Sequence, residues 1–152
     1  MLAIPVLRLA LGPAVHVAPE PDVGLRLGLD VTAGFVGMFG DVLSSFVISP
    51  EIGYTFDSFG LHAFNATCGV GFGGPVVSLL YQPRLILGTA GDDFAVGMRN
   101  GIAVRGVADI LGLEVGHQFF NAESVLHHDI RILFSLNVGA FGYVIHELGN
   151  LR

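Results

Sequence analysis

From Leu25 to Phe35 the chain alternates without a fault: Leu25, Leu27, Leu29, Val31, Ala33 and Phe35 share one parity, and Arg26, Gly28, Asp30, Thr32 and Gly34 the other. Successive side chains of a β-strand point to opposite faces, so eleven residues of period two describe a strand with one apolar and one polar face. The pattern returns along the whole sequence. Turn-like punctuation interrupts it at "APEPD" (18–22), "FGD" (39–41), "DSFG" (57–60), "GGP" (73–75), "AGDD" (90–93), "GVAD" (106–109) and "NAES" (121–124), leaving eight segments of strand length.

Three further segments alternate cleanly. Phe46, Ile48, Pro50, Ile52, Tyr54 and Phe56 oppose Val47, Ser49, Glu51, Gly53 and Thr55; Val77, Leu79, Tyr81, Pro83, Leu85 and Leu87 oppose Ser78, Leu80, Gln82, Arg84 and Gly88. In the last segment Ile130, Ile132, Phe134, Leu136 and Val138 oppose Asp129, Arg131, Leu133, Ser135, Asn137 and Gly139. The remaining four follow the rule less cleanly, with His62, Asn100 and His117 on the apolar parity. Pro50 and Pro83 fall in mid-strand, where each removes a ladder N–H, but the unbroken parity argues against a bulge at either. No amphipathic helix is expected anywhere.

Ten charges lie inside the segments, namely Arg8, Arg26, Asp30, Glu51, Arg84, Arg99, Arg105, Glu114, Asp129 and Arg131, and all ten take the polar parity. The opposite face is almost continuously large and apolar. Hydrophobic residues make up 52% of the chain and charged residues 13%, about half the usual ~25%, so something apolar must cover part of the surface. A spanning helix is not the answer. The one uncharged run of ~18 or more residues, Ser58 to Gln82, is broken by Gly60, Gly69, Gly71, Gly73, Gly74 and Pro75 and closes on Pro83, each costly in a helix interior.

A soluble barrel turns its apolar face inward, and a membrane barrel reverses this. Three features favour the membrane. The polar parity is filled by small residues, among them Gly28, Gly34, Gly53, Gly69, Gly71, Gly97, Gly101, Gly112, Gly116 and Gly139, beside a few long charged ones, which suits a narrow lumen. The ten charges comprise six Arg and four acids and no Lys, a set able to pair where water is scarce. The segments are also long enough for a tilted strand to cross a bilayer, and their number is even.

In size, strand count, outward-apolar alternation and a charged plug of Arg, Asp and Glu, the chain resembles the small eight-stranded outer-membrane barrels of Gram-negative bacteria. It departs from them in its shorter connections and in ending on "GYVIHELGNLR" without a terminal aromatic. The resemblance implies an all-β, eight-stranded antiparallel up-and-down barrel over residues 1–152 as a single domain. It also implies residence in a bacterial outer membrane, with the lipid bilayer as partner and the ten charges as a lumen network. Met1 is followed by "LAIPVLRLALGPAV", without a basic start or a long apolar core, so an export signal is expected to have been removed.

The expected role is structural, or that of a small transport or accessory component. Two alternatives stand beside it: a soluble lipocalin-like barrel holding an apolar ligand, and a lipid-modifying outer-membrane enzyme. The last rests on "EVGHQFFNAES", where His117, Glu123 and Ser124 invite comparison with lipid A deacylases, although Phe119 occupies the position that family's motif gives to Ser. "HHD" at 127–129 looks like a metal motif, but on a strand only His127 and Asp129 share a face, two ligands short of an ordinary zinc site. No catalytic residue, metal or cofactor is therefore expected. A net charge of −6 argues against nucleic acid, and the single Cys68 has no intrachain partner.

Overall fold

The computed structural model describes residues 2–18, 22–41, 44–58, 60–122 and 124–150. They form β1 (Leu2–Ala18), β2 (Asp22–Asp41), β3 (Ser44–Asp57), β4 (Leu61–Gly73), β5 (Val77–Ala90), β6 (Asp93–Gly106), β7 (Leu111–Ala122), β8 (Val125–Asn137) and α1 (Val138–Asn150). Each strand pairs antiparallel with its sequence neighbours, and β8 returns to β1, giving a closed eight-stranded up-and-down barrel.

The two parities become the two faces of the wall. Phe64 and Phe72 are 72% exposed, whereas Arg99 and Arg131 are 0% exposed, which decides that the charged parity lines the inside. The soluble lipocalin-like alternative is overturned by this inversion, since it needs the Leu, Ile and Phe face to enclose a cavity and the Arg face to meet water.

Ladder partners give the stagger of the strands. From Val6 the row runs through Gly34, Glu51, Thr67, Arg84, Arg99, Gln118 and Asp129, then reaches β1 again at His16, ten residues beyond its start. A shift of that size around eight strands corresponds to a tilt of about 40° and an interior only wide enough for side chains. One inward row thus winds up the lumen, carrying six polar or charged residues past one another. The walls approach so closely that a Cβ on Gly12, at the β1–β8 seam, would overlap the Ile132 carbonyl oxygen.

The prolines leave the register intact. Gly34 pairs with Glu51 and Gly37 with Ile48 on either side of Pro50, and Thr67 pairs with Arg84 and Val70 with Tyr81 on either side of Pro83. Two ladder positions are skipped at each, and no residue is inserted. The "FGD" break is misplaced, because β2 continues through Asp41, with Val36 and Met38 turned inward. Residues 19–21 of "APEPD" lie outside the described residues.

The largest departure from the sequence reading is α1. Alternation through Gly139 predicted that the eighth strand would continue, yet β8 stops at Asn137. There the Asn137 side chain accepts a hydrogen bond from the Ala140 N–H at 3.1 Å, which is the geometry of a helix N-cap. The same Oδ1 accepts the Leu7 N–H at 3.0 Å.

Two substitutions test this packing. Gly12→Ala should lower unfolding stability by ~1–3 kcal/mol, as overpacking against backbone does. Gly142→Ala, in α1 where nothing lies within 4 Å, should be neutral or stabilise by about 0.5–1 kcal/mol. Urea titration of the detergent-solubilised protein, followed by circular dichroism, measures both.

Candidate functional site

The charges inside the barrel are arranged as three connected groups along its axis. Nearest the end where α1 leaves, Glu51 accepts hydrogen bonds from Arg8 Nη1 at 2.5 Å, Arg105 Nη2 at 2.9 Å, Thr32 Oγ1 at 2.7 Å and Ser49 Oγ at 2.7 Å. Asp109 takes the other arms of the same two arginines, Arg8 Nη2 at 2.5 Å and Arg105 Nη1 at 3.3 Å, and a further bond from Asn137 Nδ2 at 2.8 Å. Two guanidiniums therefore bridge two carboxylates, which is the charge balance a buried site needs.

In the middle, Asp30 accepts from Arg84 Nη1 at 2.9 Å and Arg99 Nη1 at 2.5 Å. Glu114 lies 3.4 Å from Arg84 Nη2 and 3.7 Å from Arg99 Nη1, and Gln118 Oε1 accepts two bonds from Arg99, at 3.2 and 3.0 Å. Towards the β7–β8 turn, Arg131 Nη2 donates to Asp57 at 2.6 Å and lies 3.9 Å from Asp129. His16 Nδ1 meets Asp129 Oδ1 at 2.8 Å.

Apolar side chains close both ends of this column. At the α1 end Ile4, Val6, Val36, Met38, Val47, Leu80 and Ala140 pack together; at the other end Leu61, Ala63, Ile86, Ala95, Phe120 and Ala122 do so. The cavity left among Arg8, Asp30, Arg84, Arg105 and Glu114 measures ≈ 10 Å³, room for about one water molecule.

Of the ten sequence-predicted lumen charges, Arg8, Asp30, Glu51, Arg84, Arg99, Arg105, Glu114, Asp129 and Arg131 are buried inside. Arg26 pairs through its backbone with Ala14, and its side chain lies outside the described residues. Sequence reasoning missed Asp57 and Asp109, both assigned to turns. Asp57 could have been found, because it continues the inward parity of Glu51 and Thr55. Asp109 could not. It reaches the lumen from a β6–β7 turn in which Val107, Ala108 and Asp109 all have positive φ (53°, 56° and 67°), a costly run for residues with a Cβ. Backbone bonds from Val107 N to Val76 O (3.0 Å) and from Asn137 N to Ile110 O (2.8 Å) pin that turn.

The histidines separate as the parity requires. His127 turns inward and stacks on Phe120 with ring centroids 4.9 Å apart, and His128 faces outward. On that outer wall His117 Nε2 lies 3.1 Å from His128 Nδ1. Ser124 sits in the β7–β8 turn with φ 64°, and Glu123 lies outside the described residues. Among the described residues no group of three or more His, Cys, Asp or Glu side chains is placed to hold a metal ion. No protein-family model, curated protein or solved structure matches the chain.

Removing the central anion should be severe. Asp30→Ala leaves two buried guanidiniums facing each other and should cost ~3–5 kcal/mol of unfolding stability. Removing Asp30 together with one of its two arginines, as in Asp30→Leu with Arg99→Met, should recover part of that loss, because one buried cation goes with the anion and Arg84 keeps Glu114. Urea unfolding of the two variants beside the parent gives the comparison.

Proposed function

We propose that the chain is a bacterial outer-membrane barrel with a sealed lumen, acting as a structural or small accessory component of the bilayer and not as an open channel or an enzyme. The observation that carries this reading is the inversion of the wall, in which apolar side chains lie outside and paired charges inside. In water such a surface would be an aggregation hazard, whereas in a bilayer it is the outward face that the solvent requires.

The placement of aromatic side chains supports the same reading. Phe39, Phe46 and Phe72 are exposed near the β2–β3 and β4–β5 connections, and Phe56 and Phe94 near the β3–β4 and β5–β6 turns at the opposite end. Membrane barrels carry aromatic girdles at both interfaces. Two outward tyrosines are matched laterally: Tyr81 OH donates to Asn100 Oδ1 at 2.8 Å, and Tyr54 OH lies 3.2 Å from His62 Nδ1. Such pairing lowers the cost of holding a polar atom against hydrocarbon. Between the girdles, Leu7, Ala33, Ile52, Phe64, Leu85 and Leu87 line an outer groove of ≈ 560 Å³, a surface suited to acyl chains.

The protein should require detergent for extraction, migrate faster unheated than boiled on a denaturing gel, and stay electrically silent in a planar bilayer. Monodisperse behaviour without detergent would overturn the membrane assignment, and stable conductance steps would overturn the sealed lumen. Lipid A incubated with the purified protein should keep its acyl chains. Deacylation that disappears in His117→Ala would instead establish the enzyme.

A further inference from the structure

β1 starts before its partner on one side does. Leu2 to Leu7 pair with β2, but the first β1 residue to pair with β8 is Arg8, opposite Asn137. The stretch before Arg8 would leave an open edge in the wall, and α1 occupies that place. Asn137 substitutes for the missing strand, accepting the Leu7 N–H at 3.0 Å and donating to the Pro5 carbonyl at 3.4 Å. Gly139 sits so close behind it that a Cβ would lie 2.9 Å from both Leu7 N and Pro5 O.

A helix inserted in the wall has a lumen side and an outer side. Ala140 supplies the first, buried in the apolar cluster with Ile4, Val6 and Val36. Val138, Phe141, Ile145 and Leu148 supply the second, all exposed. Their spacing of three, four and three residues draws one stripe along the helix, while His146 and Glu147 fall away from it. The stripe starts two residues after Leu136, an exposed side chain of the wall that pairs with exposed Leu111 across β7 and β8, so along the chain it follows directly on the outer apolar face.

We propose that α1 is an in-plane membrane anchor, its stripe of Val138, Phe141, Ile145 and Leu148 seated at the acyl boundary around the α1 end of the barrel, with His146 and Glu147 towards water. This rests on the reading of the outer wall as lipid-facing. A second copy of the chain is a poorer occupant, because a stripe this short covers on the order of 200 Å², whereas a stable interface buries about 800 Å² per partner.

The test places single cysteines, in full-length protein carrying Cys68→Ser, at Phe64 on the wall, at Phe141, Ile145 and Leu148 on the stripe, and at Glu147. Each is spin-labelled and reconstituted into phosphatidylethanolamine and phosphatidylglycerol vesicles, and the heat-modifiable gel band confirms folding. The stripe labels should match the Phe64 label, relaxed by oxygen several-fold more than by a water-soluble nickel chelate, with the Glu147 label reversed. Chelate-accessible stripe labels beside an oxygen-accessible Phe64 label would sink the anchor and leave the wall reading standing. A chelate-accessible Phe64 label would end both. Stripe labels shielded from both reagents would place a second protein surface on α1 and overturn the anchor.

Discussion

Five guanidiniums and six carboxylates lie buried inside the described barrel, and the described structure is organised around pairing them there. Arg99 on β6 reaches Asp30 on β2, Arg131 on β8 reaches Asp57 on β3, and Arg8 on β1 reaches Glu51 on β3. None of these pairs joins neighbouring strands. The first two cross the lumen and the third reaches over β2, so each ties strands that share no backbone ladder. A one-residue slip in a strand that carries one of these charges would turn it to the outside and the strand's outward apolar side chains inward, so the ion pairs act together with the ladder to select one register. Their net contribution to stability is smaller than their number suggests, since desolvation offsets most of the Coulomb attraction. Their larger effect is to penalise registers that would separate a charge from its partner.

That division of labour explains what the sequence could reveal. Alternation is a local property, and it marked the strands, their faces and nine inward charges now seen buried, together with Arg26, whose side chain lies outside the described residues. Partner choice across the lumen is not local. It depends on the ten-residue stagger, which no segment carries by itself, so the pairing of Arg84 with both Asp30 and Glu114 had no signature in the sequence. Asp109 was hidden for another reason, because its position is fixed by three consecutive left-handed residues held from outside by the β4–β5 connection.

α1 was invisible because its first residues mimic the strand before it. Leu136, Asn137, Val138 and Gly139 continue the apolar–polar alternation, and Gly139, Gly142 and Gly149 are poor helix formers. Tertiary context overrides both signals. The barrel needs its exposed β1 edge covered, Asn137 can cap a helix while bonding to that edge, and Gly139 alone is small enough to let the helix approach. The apolar end caps were obscured in a similar way: Val47 and Leu80 sit on the charged parity of segments that otherwise alternate cleanly, so parity alone did not mark them as packing over the end of the lumen.

Closure at both ends constrains function more than the charged column does. In an open barrel, a belt of arginines and carboxylates would be a selectivity device, exchanging partners with passing solutes. Here Ile4, Met38 and Leu80 lie over one end of the belt and Leu61, Ile86 and Phe120 over the other, and the belt's arginines and carboxylates pair with one another between them. The charges are consumed in holding the walls together. What the barrel turns outward, in place of those charges, is an almost continuous apolar surface.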